Sequence, residues 1–256
     1  MSTLDAVWAP PPRDLALKHD EAHVWCADLA LAATAPHLPW LTRMLSHDER
    51  LRATQFHAER DRAYFSAARG LLRSLLGGYV GAEPAGLVFT YGQYGKPALS
   101  DIPVASDLQF NLAHAGGLAV YAFTRARRIG IDLEHRRPVP DADQIAGRFF
   151  SIRERERLAA LSPDEQQIGF FNCWTRKEAY VKALGVGLSR SLDQFDVTLA
   201  PGEPPQLLAT AGSPEEPERW RFQELTPADD YIGALAVEGH DWRLSCWRWI
   251  PEERRS

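Results

Sequence analysis

The sequence predicts an α+β protein. Three observations lead there. Short apolar stretches alternate roughly with polar residues between glycine and proline turns. Two long helical patterns occupy 60–79 and 163–184. A second set of helices and strands follows a proline-broken polar stretch at 136–143. Each half therefore reads as helices with a small, mainly antiparallel sheet. No internal repeat is strong enough to prove duplication.

Pro10-Pro11-Pro12 marks an extended leader, and 24–33 (VWCADLALAA) reads as a short alternating strand. Ser46-His47-Asp48-Glu49 is read as a capping box displaced by one, opening a helix to about Phe56. The Ala-, Leu- and Arg-rich pattern from Arg60 to Tyr79 is a strong helix, expected to stop at Gly77-Gly78. Residues 87–91 form a strand before the turn Tyr94-Gly95-Lys96-Pro97. Strands at 108–112, 119–124 and 129–134 follow, the first two joined through His114-Ala115-Gly116-Gly117. Residues 145–161 are helical in two pieces broken near Ser151. Ser162-Pro163 starts a helix, serine as cap and proline in the first turn, that runs on to Leu184 and stops at Gly185 and Gly187. A strand at 195–199, a proline-rich loop to 218 and strands near 219–224, 231–237 and 244–249 close the chain.

The net charge of −5 argues against a dedicated nucleic-acid binder. Cys26, Cys173 and Cys246 are few, odd in number and far apart, which fits a reducing cytoplasm better than a disulfide framework or a zinc site. Cys173 is expected to serve packing. The first residues lack a signal-peptide pattern, and no apolar run approaches the ~18 residues of a membrane helix, so no membrane role is expected.

Chemistry concentrates in two places. Trp174, Glu178 and Lys182 are spaced by four and share one helix face. In Ile129-Gly130-Ile131-Asp132-Leu133-Glu134 the alternation puts both carboxylates on one side of a strand, with Gly130 permitting close approach of a backbone or ligand. Three carboxylates with a lysine suit a hard divalent cation and a phosphate. Taken singly, each group has a plainer reading. Glu178 and Lys182 could be a surface i,i+4 pair worth ~0.3–0.5 kcal/mol. Asp132 and Glu134 could line an exposed strand edge, His114 could be a backbone-bonded loop histidine, Lys96 a solvated turn lysine, and Arg52, Arg69 and Arg73 helix-surface charges. Arg176 and Lys177 are expected to add positive charge for an anionic ligand.

The ordered set is more specific than its members. Gly95-Lys96-Pro97, Phe110-Asn111-Leu112-Ala113-His114, Gly130-Ile131-Asp132-Leu133-Glu134, Phe149-Phe150-Ser151 and Trp174-Thr175-Arg176-Lys177-Glu178-Ala179-Tyr180-Val181-Lys182 follow one another, with Gly187-Leu188-Ser189 and Phe195-Asp196-Val197 after them. Over roughly 50–197 this resembles the 4′-phosphopantetheinyl transferases of the surfactin-synthetase-activating type. The resemblance implies two similar α+β subdomains, 1–125 and 126–256, forming one catalytic unit with coenzyme A in the cleft between them. It implies Mg2+ held by Asp132, Glu134 and Glu178. It implies coenzyme A contacts from Arg52, Lys96 and His114 near the adenosine 3′-phosphate, from Lys182 at the pyrophosphate, and from Pro97 and Ala113 beside them. Where the family usually has serine, Ala113 removes a hydroxyl, so altered coenzyme A contacts are expected. Asp132, Glu178 and Lys182 are the implied catalytic residues.

The implied reaction moves 4′-phosphopantetheine onto a serine of an acyl or peptidyl carrier protein and releases 3′,5′-ADP. Glu178 is the expected base, with Glu154 in reserve. The basic, apolar stretch 136–150 is the expected docking surface, and the size and two-half organisation favour a monomer. Two other classes remain open at this point: a metal-dependent coenzyme A or nucleotide phosphohydrolase, and a non-catalytic carrier-binding module.

Overall fold

The alternating segments become paired strands, and the helical patterns pack across them. The computed structural model describes residues 7–12, 15–34, 37–100, 107–187 and 190–251. In order the elements are β1 (Trp8–Ala9), β2 (Glu21–Asp28), α1 (Leu29–Ala32), α2 (His37–Arg43), α3 (His47–Thr54), α4 (Glu59–Val80), β3 (Val88–Tyr91), β4 (Pro97–Ser100), β5 (Leu108–Ala115), β6 (Leu118–Arg125) and β7 (Ile129–His135). Then come α5 (Ala142–Phe149), α6 (Ile152–Ala159), α7 (Pro163–Leu184), β8 (Phe195–Val197), β9 (Leu207–Thr210), β10 (Trp220–Leu225), β11 (Tyr231–Glu238) and β12 (Arg243–Arg248). Leu188 and Ser189, and residues 1–6 of the N-terminal segment, lie outside the described residues.

Strand alternation sets the layering. One sheet has the order β1-β12-β2-β6-β5, and a second has β10-β11-β7. On the first sheet, Trp25, Phe110, Tyr121 and Phe123 face Leu71, Leu72, Leu75 and Leu76 of α4. The opposite parity, Val24, Cys26, Val120 and Ala122, packs against Ile129, Ile131, Leu133 and Leu235 of the second sheet. The outer face of that sheet, Phe222, Ala234 and Ala236, covers Ala179 and Ala183 of α7. The layers thus run helix, sheet, sheet, helix. Asp132 and Glu134 alternate with Ile131 and Leu133, so they are turned toward α7.

Four expectations need correcting. The segment read as a strand over 24–33 divides, because Asp28 accepts the amides of Ala30 and Leu31 and caps α1. The capping box at α3 is in register: Ser46 accepts the Glu49 amide at 3.3 Å, and Glu49 accepts the Ser46 amide at 3.0 Å. Helix α4 runs through Gly77-Gly78 to a left-handed cap at Gly81 (φ 67°), because Gly77 packs where a Cβ would lie 2.8 Å from the Ala82 carbonyl oxygen. Finally, β12 lies parallel to both β1 and β2. The chain leaves β11 through a left-handed Gly239 (φ 84°) and crosses to the first sheet. The last strand therefore belongs to the sheet built mainly from 1–125, and a boundary at 125/126 does not contain it.

The layers come closest at Gly130. A Cβ there would collide with the Ala179 carbonyl oxygen and the Ala183 amide nitrogen and lie 2.9 Å from the Ala183 Cα. These are backbone atoms of α7, so no side-chain rotation relieves the clash. Gly130→Ala should lower stability by about 3 kcal/mol. Urea unfolding checks this; a loss below about 0.5 kcal/mol would mean the helix can simply move away.

Candidate active site

From Gly169 onward helix α7 is buried almost all round, and Trp174, Glu178 and Lys182 form a partly open stripe along that stretch. Gly130 brings that stripe against β7, so that Lys182 Nζ lies 2.5 Å from Asp132 Oδ1. The helix and strand patterns read from the sequence are thus brought together. Asp132 is 5 % exposed, and its Oδ2 is buried without a hydrogen-bond partner. Burial raises the Asp132 carboxyl above its ordinary range, against the pull of Lys182. Burial and then repulsion from Asp132 raise Glu134, with Lys182, Arg137 and the Trp174 indole opposing. Burial and then Asp132 raise Glu178 too, Lys182 again opposing. Three carboxylates that resist ionisation face one ammonium.

That is the condition a divalent cation would relieve, and the orphaned Asp132 Oδ2 is a hard oxygen donor suited to one. As the side chains stand, no three His, Cys, Asp or Glu among the described residues converge to hold an ion. The cation beside Asp132 is Lys182 itself.

The stripe opens on a cleft of about 1020 Å³ lined from both halves. Arg52, Lys96, Pro97, His114, Glu178 and Lys182 all line it. His114 stands near the end of β5; surrounding protein and then Lys182 hold its pKa below the ordinary value. Arg52 is exposed on α3, its guanidinium 5.6 Å from the Phe65 ring centre. Lys96 is not a free turn lysine: Nζ donates to the Ile129 carbonyl at 2.9 Å and the Ala183 carbonyl at 3.2 Å. Burial and then Arg128 lower it to about 8.

Ala113 departs from expectation. Its methyl is buried in the sheet–sheet core, one residue out of phase with His114, and does not line the cleft. The absent hydroxyl therefore removes no donor from the cleft wall. Arg69 and Arg73 are not surface charges. Arg69 Nε donates to Glu49 at 2.8 Å, Arg73 Nε donates to the same carboxylate at 2.5 Å, and both guanidiniums lie about 5 Å from the Phe89 ring.

Two further expectations fail. Arg176 and Lys177 are 1 % and 0 % exposed on the side of α7 away from the cleft. Lys177 Nζ donates to the carbonyls of Leu192 and Phe195 and pairs with Glu154 at 2.7 Å. Glu154 is therefore no reserve base: it also accepts the Ser151 and Val197 amides, at 2.8 Å each, and is 1 % exposed. The Ser151-Ile152-Arg153-Glu154 pattern is itself a capping box, the signal that would have revealed its role. Asn111 has a role that no local sequence pattern indicates: its Oδ1 accepts the Ile131 amide at 2.9 Å and ties β5 to β7.

Removing the ammonium isolates Asp132. A carboxyl with a raised folded pKa contributes stability at low pH that is lost as pH rises above the ordinary carboxylate range. Lys182→Met should raise Asp132, Glu134 and Glu178 further. Its melting-temperature deficit, in chelator, should be small near the ordinary carboxylate pKa and widen toward neutral pH. Thermal melts across that window check this; a deficit independent of pH would show that Lys182 does not offset these charges.

Two family descriptions match: "4′-phosphopantetheinyl transferase, N-terminal" over residues 32–125, and "4′-phosphopantetheinyl transferase superfamily" over residues 128–236. The chain is 41 % identical over 246 residues to the 4′-phosphopantetheinyl transferase HetI of Nostoc sp. (strain PCC 7120), covering 96 % of this chain and 100 % of that one. It is 35 % identical over 159 residues to the putative 4′-phosphopantetheinyl transferase slr0495 of Synechocystis sp. (strain PCC 6803), covering 62 % and 64 %. It is 34 % identical over 155 residues to the 4′-phosphopantetheinyl transferase Sfp of Bacillus subtilis (strain 168), covering 60 % and 66 %.

Proposed function

Because the chain belongs to the 4′-phosphopantetheinyl transferases of the Sfp type, we propose that the cleft binds coenzyme A and that Asp132, Glu178 and Lys182 carry the transfer. The enzyme moves 4′-phosphopantetheine from coenzyme A to a serine of an acyl or peptidyl carrier protein and releases 3′,5′-ADP. The observation that carries the site assignment is the Lys182–Asp132 contact, 2.5 Å long, beneath a cleft lined by His114, Lys96 and Arg52.

In this reading Lys182 donates hydrogen bonds to the pyrophosphate, where negative charge grows as the bond to the leaving ADP breaks. Glu178 accepts the proton of the carrier serine as its oxygen attacks phosphorus, and its raised pKa suits that role. His114 and Arg52 hold the phosphates of the nucleotide end, with Pro97 in the adjoining wall. Mg2+, held by Asp132, Glu134 and Glu178, would neutralise charge on the pyrophosphate when bound.

The carrier is proposed to dock on 136–150, where Arg148 is exposed and Arg136 half-exposed. Ile152, 66 % exposed just beyond, extends that basic, apolar face. The reading includes a monomer in the cytoplasm, bound to neither nucleic acid nor membrane. Its three cysteines are free and buried, and among the described residues no helix is long and apolar enough to cross a membrane.

The direct test is mass spectrometry of an apo carrier protein incubated with the chain, coenzyme A and Mg2+, with and without chelator. The expected result is a metal-dependent gain of one phosphopantetheine on the carrier. Cleavage of coenzyme A without transfer would instead indicate a phosphohydrolase. Glu178→Ala should lower kcat by about 100-fold or more; a kcat near wild type would remove Glu178 from the chemistry. Arg148→Glu with Arg136→Glu should raise the KM for carrier by about tenfold and leave coenzyme A affinity unaltered. An unchanged carrier KM would place docking elsewhere.

A further inference from the structure

Lys96 sits on a turn in the N-terminal half, yet its ammonium bonds only to backbone of the C-terminal half. The turn is fixed: Gly92 donates to the Lys96 carbonyl at 3.0 Å, Gly95 donates to Gly92 at 2.9 Å, and Gly95 holds φ 81°. From there the side chain passes over Gly185, where a Cβ would lie 3.4 Å from Lys96 Cδ. Its Nζ ends between the carbonyls of Ile129 on β7 and Ala183 on α7. These two carbonyls flank the Gly130–Ala183 contact, the closest approach of strand and helix. Ala183 is in the last turn of α7, where carbonyls lack helical donors and a cation is favoured. It also follows Lys182 directly, and Ile129 lies three residues before Asp132.

We infer that Lys96 is a positioning residue, clamping β7 to the C-terminal end of α7 so that Asp132 and Lys182 are held in register, rather than a ligand of the 3′-phosphate of coenzyme A. Two of its three N–H donors are committed to backbone, and the carbonyls they meet belong to the two elements that carry the proposed catalytic groups. The inference rests on the transferase reading for its kinetic consequence and on geometry alone for the clamp.

Lys96→Met and the milder Lys96→Gln, which keeps two N–H donors on a shorter, uncharged side chain, separate these roles. Each is assayed with coenzyme A and with 3′-dephospho-coenzyme A, for affinity by calorimetry and for turnover on carrier. Misalignment should lower kcat by about 10- to 100-fold with both donors for the Met variant, and less for Gln. The ratio of the two donor affinities should stay at its wild-type value. A selective loss of affinity for coenzyme A, bringing that ratio toward one, would overturn the inference and make Lys96 a phosphate ligand. So would wild-type kcat with both donors.

Hydrogen exchange supplies a reading independent of activity. Amides of 130–133 and 180–184 should exchange faster in the variants, while those of α4 keep their wild-type rates. Unchanged exchange at β7 and α7 would also overturn the clamp. If Lys96→Met accelerates exchange everywhere, Lys96→Gln decides. If wild-type protein transfers nothing to any carrier, the transferase reading fails while donor affinities and exchange still decide the role of Lys96.

Discussion

The separation of β7 from α7 is the constraint on which the rest depends. With no side chain at 130, strand and helix backbones touch, and Asp132 falls within hydrogen-bond reach of Lys182. A helix moved outward by the width of a methyl group would leave Asp132 buried and unpaired, at a cost of several kcal/mol. The same movement would open the floor of the cleft. Stability and site geometry are therefore set by one contact. The packing behind it (Ala234 and Ala236 against Ala179 and Ala183) uses small residues along the helix seam, as a close approach requires.

The two faces of α7 divide the labour. Toward the cleft it presents groups whose charges are incompletely offset. Away from the cleft, Lys177 and Arg176 are fully engaged: Lys177 with Glu154 and two carbonyls, Arg176 with the Thr198 backbone and side chain and with Glu224. A buried pair adds little net stability over an apolar substitute, but it fixes geometry because either partner alone is costly. The engaged face thus fixes the rotation of the helix, and the strained face inherits that rotation. Glu49 does the same for the opposite wall, joining the α3 cap to two arginines of α4 beneath Phe89.

What the sequence revealed follows from the range of each signal. Spacings of four along 174–182 and of two along 129–134 are local periods, so both acidic faces and their lysine were legible without knowing what they faced. The motif order added the family. Arg176 and Lys177 misled because counting charge along a chain ignores the ~100° turn per helical residue. Glu154 carries a local signature, the Ser151–Glu154 capping box, that marks it as structural. The Glu49 network joins residues 20 and 24 apart, and Lys96 bonds across 33 and 87 positions. No window of sequence contains such partners. The direction of β12 was equally out of reach, since composition does not say which sheet a returning chain will enter.

That returning strand bears on how the molecule is made. β12 lies inside the first sheet, between β1 and β2. On a ribosome, β2, β5, β6 and α4 emerge long before residues 243–248 exist. Until then β2 keeps one hydrogen-bonding edge open, and the ring of Trp25 lacks the Trp247 partner it meets at 5.1 Å. The N-terminal half cannot finish folding as it is synthesised; it waits for the far end of the chain. Such a long-range closure slows folding and prolongs exposure of an unpaired edge.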